Sequence, residues 1–329
     1  MATIKDVARQ AGVSVATVSR VLNSAGYVHE DTRKKVEDAI LALDYSPNEV
    51  ARSLYKRKSK LIGLLIPDIT NPYFPQIARG VEDEMRENDY RIIIGNSDEN
   101  EQKELEYLQT FTQNNVVGVI TLTNNPDTHT YTSINLPVVF LDRTSHDKPS
   151  VYADGWQGGK LAAGAIIAGG SREVTVMQGP AHVKPAQDRY QGAVHALEEA
   201  GMEYHVIQTS SFSFHNVDKL ATNLFDTYPY TDGIIASNDL AAIAVIHEAV
   251  RRGRRVPEDV QIVGFDDIPI SGLLSPALST IRQPAYEMGR AAARLLIQLI
   301  DNKHNMETYI QFPVEYIERN TTRKVAQNK

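Results

Sequence analysis

Residues 3–23 read TIKDVARQAGVSVATVSRVLN, two short helical patterns joined by a turn at Ala11-Gly12-Val13-Ser14. Thr3 with Asp6 makes a cap pattern that opens the first helix, Gly12 closes it where positive φ is needed, and Ser14 caps the second. Ile4, Val7, Ala8, Val18, Val21 and Leu22 recur at helical spacing and bury one face, whereas Val15, Ala16, Thr17, Ser19 and Arg20 fall on a different, solvent-side stripe. Small side chains and one arginine on an outer face suit a DNA groove better than bulk water. The pattern therefore reads as a helix-turn-helix that presents its second helix to the major groove.

Outward from this pair, a third helix is expected over Thr32 to Leu43, capped by Asp31, with Val36, Ile40, Leu41 and Leu43 closing a small core. Ser46-Pro47-Asn48 then stops the chain. Glu49-Val50-Ala51-Arg52-Ser53-Leu54 resumes helical character briefly before the basic run Lys56-Arg57-Lys58-Ser59-Lys60. A helix that short is unstable alone, and an apolar Leu54 beside a basic run suits a segment that folds on DNA and wedges a side chain into the minor groove. The charge divides at the same place: residues 1–60 carry a net +4 and the remainder −11, so the overall −7 hides a basic head on an acidic body. The head would carry phosphate binding, with strong salt dependence.

At 329 residues and 42% hydrophobic, the chain has material for more than one domain. The absence of cysteine excludes a disulfide framework and thiolate chemistry and fits a reducing compartment. No apolar run approaches membrane-spanning length and the chain starts directly into a charged helix, so the expectation is a cytoplasmic protein with no membrane partner. Nine histidines lack metal-ligand spacing, Gly155-Trp156-Gln157-Gly158-Gly159 is not a dinucleotide fingerprint, and neither a phosphate-binding loop nor a nucleophile elbow is present. No catalytic residue, metal or cofactor is expected.

From Leu61 onward, strands alternate with helices. Strands are expected at Leu61 to Pro67, Arg91 to Asn96, Gly118 to Leu122 and Val138 to Leu141, with helices ending at Asn88 and spanning Glu101 to Asn114. The rhythm restarts after Asp154, with strands at Val174 to Gln178, Tyr204 to Gln208, Gly233 to Ala236 and Gln261 to Gly264 and a last strand over Thr308 to Tyr316. The fold class is thus an all-α helix-turn-helix head on an α/β body of two doubly wound parallel sheets. The expected division is 1–46 for the head, 47–60 for a hinge helix and linker, 61–153 with 284–309 for one lobe, and 154–283 with 310–329 for the other.

Ligands in such sheets sit at the carboxyl ends of the strands, and there the sequence collects groups of one kind. Asn71, Tyr73 and Phe74 follow the first strand, Asp142-Arg143 follow another, and Arg189, Phe212, Asn238, Asp266 and Gln283 occupy comparable places in the second half. Aromatic faces with planar hydrogen-bonding side chains are what a sugar ring needs, since its C–H faces stack and its hydroxyls bond bidentately.

On the head pattern, and on Pro47-Asn48-Glu49-Val50-Ala51-Arg52-Ser53-Leu54, the chain resembles the LacI/GalR family of transcriptional repressors over essentially its whole length. That resemblance implies that Val15, Ala16 and Arg20 meet base edges, Ser14, Thr17 and Ser19 the phosphates, and Leu54 the central minor-groove step. Thr3, Asn23, Asn48 and Ala51 complete the implied DNA-binding set. It further implies a homodimer on a near-palindromic operator, with a two-lobed body like that of periplasmic ribose-binding proteins. Asn71, Tyr73, Phe74, Asp142, Arg143, Arg189, Phe212, Asn238, Asp266 and Gln283 fall where that pocket has its ligand groups, Tyr73 replacing a phenylalanine. Ribose or a phosphorylated pentose is the implied effector. Purine-type members carry an arginine and a threonine where this chain has Val183 and Pro185, which disfavours a purine. The alternatives are a catabolite-control regulator with a phosphorylated carrier protein as corepressor, and, less favoured, a sugar-binding transport protein. The polar tail from Ile317 to Lys329 has no leucine heptad, which argues against a four-chain coiled coil.

Overall fold

The computed structural model describes residues 2–22, 26–45, 59–123, 131, 134–143, 148–209, 211–212, 217–303 and 307–324. The chain divides into two compact units, Met1–Ser59 and Lys60–Lys329.

In the first unit, α1 (Ile4–Ala11), α2 (Val15–Leu22) and α3 (Glu30–Ala42) pack around Val7, Ala8, Val18, Val21, Val36 and Ala39. Gly12 closes α1 at φ 67°, as its turn requires. Two expectations for α3 are corrected. The helix begins at Glu30 with His29 at the N-cap, so Asp31 lies inside the first turn, where a carboxylate still complements the helix dipole. Leu41 is 80% exposed, because Val36, Ala39, Ile40 and Leu43 take the inward face at spacings of three and four residues and position 41 falls outside it.

The second unit holds two sheets with the same order of strands. The first takes β1 (Leu61–Ile66), β2 (Arg91–Asn96), β3 (Val119–Thr121), β4 (Val138–Leu141) and β5 (Ser150–Ala153), with α4 (Tyr73–Glu87) and α5 (Glu101–Gln113) between strands. The second takes β6 (Val174–Gln178), β7 (Tyr204–Gln208), β8 (Gly233–Ile235), β9 (Gln261–Asp266) and β10 (Ser279–Arg282). Its helices are α6 (Gly155–Ala168), α7 (Lys184–Glu199), α8 (Val217–Thr227) and α9 (Asp239–Arg251). After α10 (Ala285–Ile300), β11 (Tyr309–Phe312) and β12 (Glu315–Ile317) complete one sheet each, giving the orders β11-β5-β4-β3-β1-β2 and β12-β10-β9-β8-β6-β7. The order reverses beside β1 and beside β6, so each lobe opens its crevice at the carboxyl ends of those strands.

The stretch expected as one last strand is two. β11 pairs in parallel with β5, whereas β12 runs antiparallel to β10 in the other sheet. Pro313 lies between them, without an N–H to donate, so the ladder cannot continue through it. The return crossing therefore falls between Phe312 and Glu315, later than the 309/310 boundary, and the second sheet is not wholly parallel. The other crossings join β5 to α6 and β10 to α10. Among the described residues, no helix is long and apolar enough to cross a membrane.

Lobe cores are continuous apolar layers, as parallel strands covered on both faces require. The core of the first lobe also takes in Leu240 and Ile268 from the second, so the lobes touch through apolar side chains as well as through their crossings.

Candidate functional site

The head presents a defined outer face. Thr3 donates from its backbone N–H and its hydroxyl to the Asp6 carboxylate at 3.0 and 2.7 Å, fixing the start of α1. Ser14 accepts from the Thr17 N–H at 3.1 Å and shares a hydrogen bond with the Thr17 hydroxyl at 2.9 Å, fixing the start of α2. With both ends held, Val15, Ala16 and Arg20 point to solvent, Val15 being 41% exposed despite its apolar side chain, while Thr17 and Ser19 are half-buried. Asn23, Asn48, Ala51 and Leu54, with the expected hinge helix, lie outside the described residues.

In the body, the strand ends of the first lobe converge on one side of the cleft. Asn71 caps the turn after β1 by accepting from the Tyr73 N–H at 3.1 Å. The Tyr73 ring lies edge-on to Phe74, centroids 5.4 Å apart, and its hydroxyl donates to Asp142 at 3.2 Å. Burial, with the Asp142 carboxylate beside it, pushes the Tyr73 hydroxyl well above the ordinary tyrosine range, so it is a donor at any physiological pH. Arg143 is 2% exposed and lies 6.0 Å from the Phe74 ring. Its Nη2 reaches Glu99 at 3.2 Å, whereas Nε and Nη1 are buried with no hydrogen-bond partner among the described residues.

The second lobe supplies the facing set. Arg189 lies 3.9 Å from the Phe265 ring and 5.5 Å from Phe212, donates from Nη1 to the Ser237 carbonyl at 3.1 Å, and pairs with Asp266 at 3.4 Å. Its Nε too is buried and unpartnered. Gln283, at the crossing after β10, donates to Asp266 at 2.8 Å. Burial pushes the Asp266 carboxyl up to about 8, with Arg189 opposing the shift. Asp142, Arg189 and Gln283 share the lining of a cavity of about 300 Å³ with Tyr152, Trp156 and Lys184.

Among the described residues, three buried guanidinium nitrogens without partners mark a place where acceptors are owed, since native proteins seldom leave such donors unsatisfied. Five of the nine non-glycine residues at positive φ among the described residues fall at the same place. Asp98, Glu99, Asp142, Asp266 and Asp267 hold positive φ at 51°, 56°, 65°, 110° and 55°, a conformation that side chains other than glycine adopt at a cost of order 1–3 kcal/mol each.

Asn238 has a different place from the others. Its side-chain oxygen caps α9 at the Ala241 N–H, 2.9 Å away, and its amide donates to the Phe212 carbonyl at 3.2 Å, so it shapes the wall through bonds within the protein. Glu99, absent from the residues singled out by sequence, sits on Arg143 and also accepts from Ser211 of the second lobe at 2.7 Å. Its place at the carboxyl end of β2 was the available signal. Helix α7 begins at Lys184, with Pro185 in its first turn, so Arg189 lies in its second turn.

Residues 3–48 match the bacterial regulatory proteins of the lacI family, and residues 163–322 match a periplasmic binding protein-like domain. The chain belongs to the LacI family of DNA-binding regulators. It is 61% identical to the ribose operon repressor of Bacillus subtilis (strain 168) over 324 residues, covering 98% of this chain and 99% of that protein. The lac repressor dimer bound to operator and the anti-inducer ONPF is similar in structure at a TM-score of 0.88 and 26% identity, over 98% of this chain and 99% of that one. A LacI-family regulator from Enterococcus faecium with bound ribose matches at a TM-score of 0.72 and 28% identity, over 80% of this chain and 98% of that one.

Proposed function

We propose that this regulator represses genes of ribose utilisation and leaves its operator when ribose enters the cleft between the lobes. The observation that carries the reading is the pairing of buried, unpartnered donors on Arg143 and Arg189 with aromatic faces at Phe74 and Phe212. A pentose supplies the hydroxyl acceptors those nitrogens need and an apolar ring face to stack. In this reading Asn71, Tyr73, Phe74, Asp142 and Arg143 serve the sugar from one lobe, and Arg189, Phe212, Asp266 and Gln283 from the other. Asn238 contributes by holding the wall.

The free sugar fits better than its phosphate, because among the described residues Arg143 already faces the Glu99 carboxylate and Lys184 already faces that of Asp188. A phosphorylated carrier protein is too large to satisfy the buried nitrogens. On the DNA side Val15, Ala16 and Arg20 read base edges, Ser14, Thr17 and Ser19 hold phosphates, and Leu54 wedges the minor groove, with Thr3, Asn23, Asn48 and Ala51 beside them. The protein acts in the cytoplasm as a homodimer, since two half-sites need two heads.

The effector can switch operator affinity only by binding the two lobe arrangements unequally, and a coupling of about 3 kcal/mol changes that affinity roughly a hundredfold. Operator binding titrated with and without ribose at one fixed salt concentration, paired with calorimetry against ribose and ribose 5-phosphate, tests the reading. Heat and operator release are expected with ribose and not with the phosphate. No heat with ribose would sink it.

A further inference from the structure

A carboxylate outside the sugar-facing set joins the two lobes. Glu99 accepts from Arg143 Nη2 at 3.2 Å in its own lobe and, through its other oxygen, from the Ser211 hydroxyl at 2.7 Å in the second lobe. Its loop is tied on both sides. Asp98 is held by the Asn96 amide and by Lys103, and Asn100 caps α5 at the Lys103 N–H, 3.1 Å away. Between these anchors Asp98 and Glu99 both take left-handed backbone conformations, at φ 51° and 56°, which aspartate tolerates and which costs the longer glutamate more. The result aims the Glu99 side chain inward, where it is only 17% exposed.

We propose that Glu99 is a positioning residue for the effector: it fixes the Arg143 guanidinium with its two unpartnered nitrogens toward the sugar, and clamps the second lobe shut through Ser211. The apolar contact of Leu240 and Ile268 with the core of the first lobe supplies closure without direction. The Glu99 bridge supplies the directional part, since a charge-assisted hydrogen bond forms only in the aligned arrangement. Glu99 thereby links how firmly the sugar is gripped to how far the lobes are closed. The effect on sugar affinity rests on the cleft being the effector site, whereas the effect on lobe closure does not.

The test uses the full chain. Because it has no cysteine, Glu106→Cys in one lobe and Glu203→Cys in the other, both at exposed positions, accept a fluorophore pair without background labelling. Glu99→Ala, Glu99→Gln, Ser211→Ala and the double variant Glu99→Ala/Ser211→Ala are compared with the parent by inter-dye distance without ligand and by ribose affinity and dissociation rate. Glu99→Ala is expected to shift the ligand-free lobes toward a wider separation and to release ribose about tenfold faster, and Ser211→Ala about threefold faster. The double variant is expected to be no worse than Glu99→Ala alone, because both changes remove one bridge. Glu99→Gln, which keeps an acceptor for Ser211 but loses the charge facing Arg143, is expected to restore the distance and only part of the affinity. Parental distances in both Glu99→Ala and Ser211→Ala would overturn the proposal, as would additive effects in the double variant. Failure of the parent to bind ribose would overturn the effector reading instead, and the ligand-free distances would still decide the clamp.

Discussion

The two lobes of the body share one strand order but hold their arginines in opposite ways. In the second lobe Arg189 lies 3.9 Å from Phe265, donates to a backbone carbonyl and faces the buried Asp266 carboxyl, so its position is set by parts of one rigid layer. In the first lobe Arg143 is farther from its ring, at 6.0 Å, and is held by Glu99, a loop residue that also answers to the other lobe. A duplicated strand order has thus produced one preformed half of a binding site and one half whose geometry depends on closure. Such a division is useful to a switch, because a ligand that needs both halves binds the closed arrangement better than the open one.

The strongest way to break the comparison is to remove the rigid half. Arg189→Ala leaves Asp266 buried without its cation and deletes a donor preorganised for the sugar. The expected loss of ribose affinity is about 3 kcal/mol, more than a hundredfold, with operator release shifted to correspondingly higher ribose concentrations. Calorimetry with a parallel operator titration checks it, and a loss smaller than tenfold would mean that Arg189 serves the fold and not the ligand. A backbone route to the same end is Gly159→Ala. A Cβ there would collide with the Arg189 carbonyl where α6 crosses α7, and moving that turn should cost affinity as well as stability.

Arg143→Ala tests the adjustable half and is expected to do less. It removes hydrogen bonds from a charged group, about 2 kcal/mol or roughly thirtyfold in ribose affinity, and leaves Glu99 its bond from Ser211. The variant should remain on its operator at ribose concentrations that release the parent. An equal or larger loss than that of Arg189→Ala would invert the assignment of rigid and adjustable halves.

Much of this was legible in the residues. The helix-turn-helix was, because Gly12, Ser14 and the apolar spacing all demand one geometry. The strand-end residues were as well, since doubly wound sheets converge their carboxyl ends. Other features were not. Strands β5 and β10, SVYA and STIR, mix polar with apolar residues and lack the continuous apolar run that reveals the equally short β4. Thr308 to Tyr316 reads as one strand because both of its halves have strand character, and only pairing partners distant in sequence reveal the change of sheet at Pro313. Glu99 was hidden for a further reason. Ser97-Asp98-Glu99-Asn100 has the composition of any solvated turn, and the left-handed backbone that turns its carboxylate inward is imposed by hydrogen bonds from Asn96 and Lys103.

A smaller effect concerns the titration of the rigid half. Burial raises the Asp266 carboxyl from the ordinary value near 3.8 to about 8, so at neutral pH the folded protein keeps a proton that the unfolded chain has released. The sign follows: the stability associated with this group is fully present below the unfolded value and is lost as pH rises toward about 8. Asp266→Asn, which cannot ionise, should flatten that slope, and its thermal midpoint should exceed that of the parent at the alkaline end by roughly 2–4 °C for each kcal/mol recovered. Thermal scans across the window check it, and an unchanged slope would place the loss in other groups.

The smallest expected effect separates the halves most finely. Tyr73→Phe removes only the hydroxyl that donates to Asp142, one bond of 3.2 Å between groups of the adjustable half. Asp142 holds a left-handed backbone conformation at φ 65°, and this bond is one of the restraints on its side chain. Its loss should lower stability by about 1 kcal/mol. The same change frees a carboxylate oxygen at the cavity wall, which a sugar hydroxyl can then occupy, so ribose affinity should rise by up to about fivefold while stability falls. Opposite signs for stability and binding would show that Tyr73 uses part of the acceptor capacity of Asp142 to hold the empty site in shape. Losses of both together would show instead that the hydroxyl is needed to aim Asp142 at the ligand, and that the adjustable half is more preorganised than Arg143 and Glu99 imply.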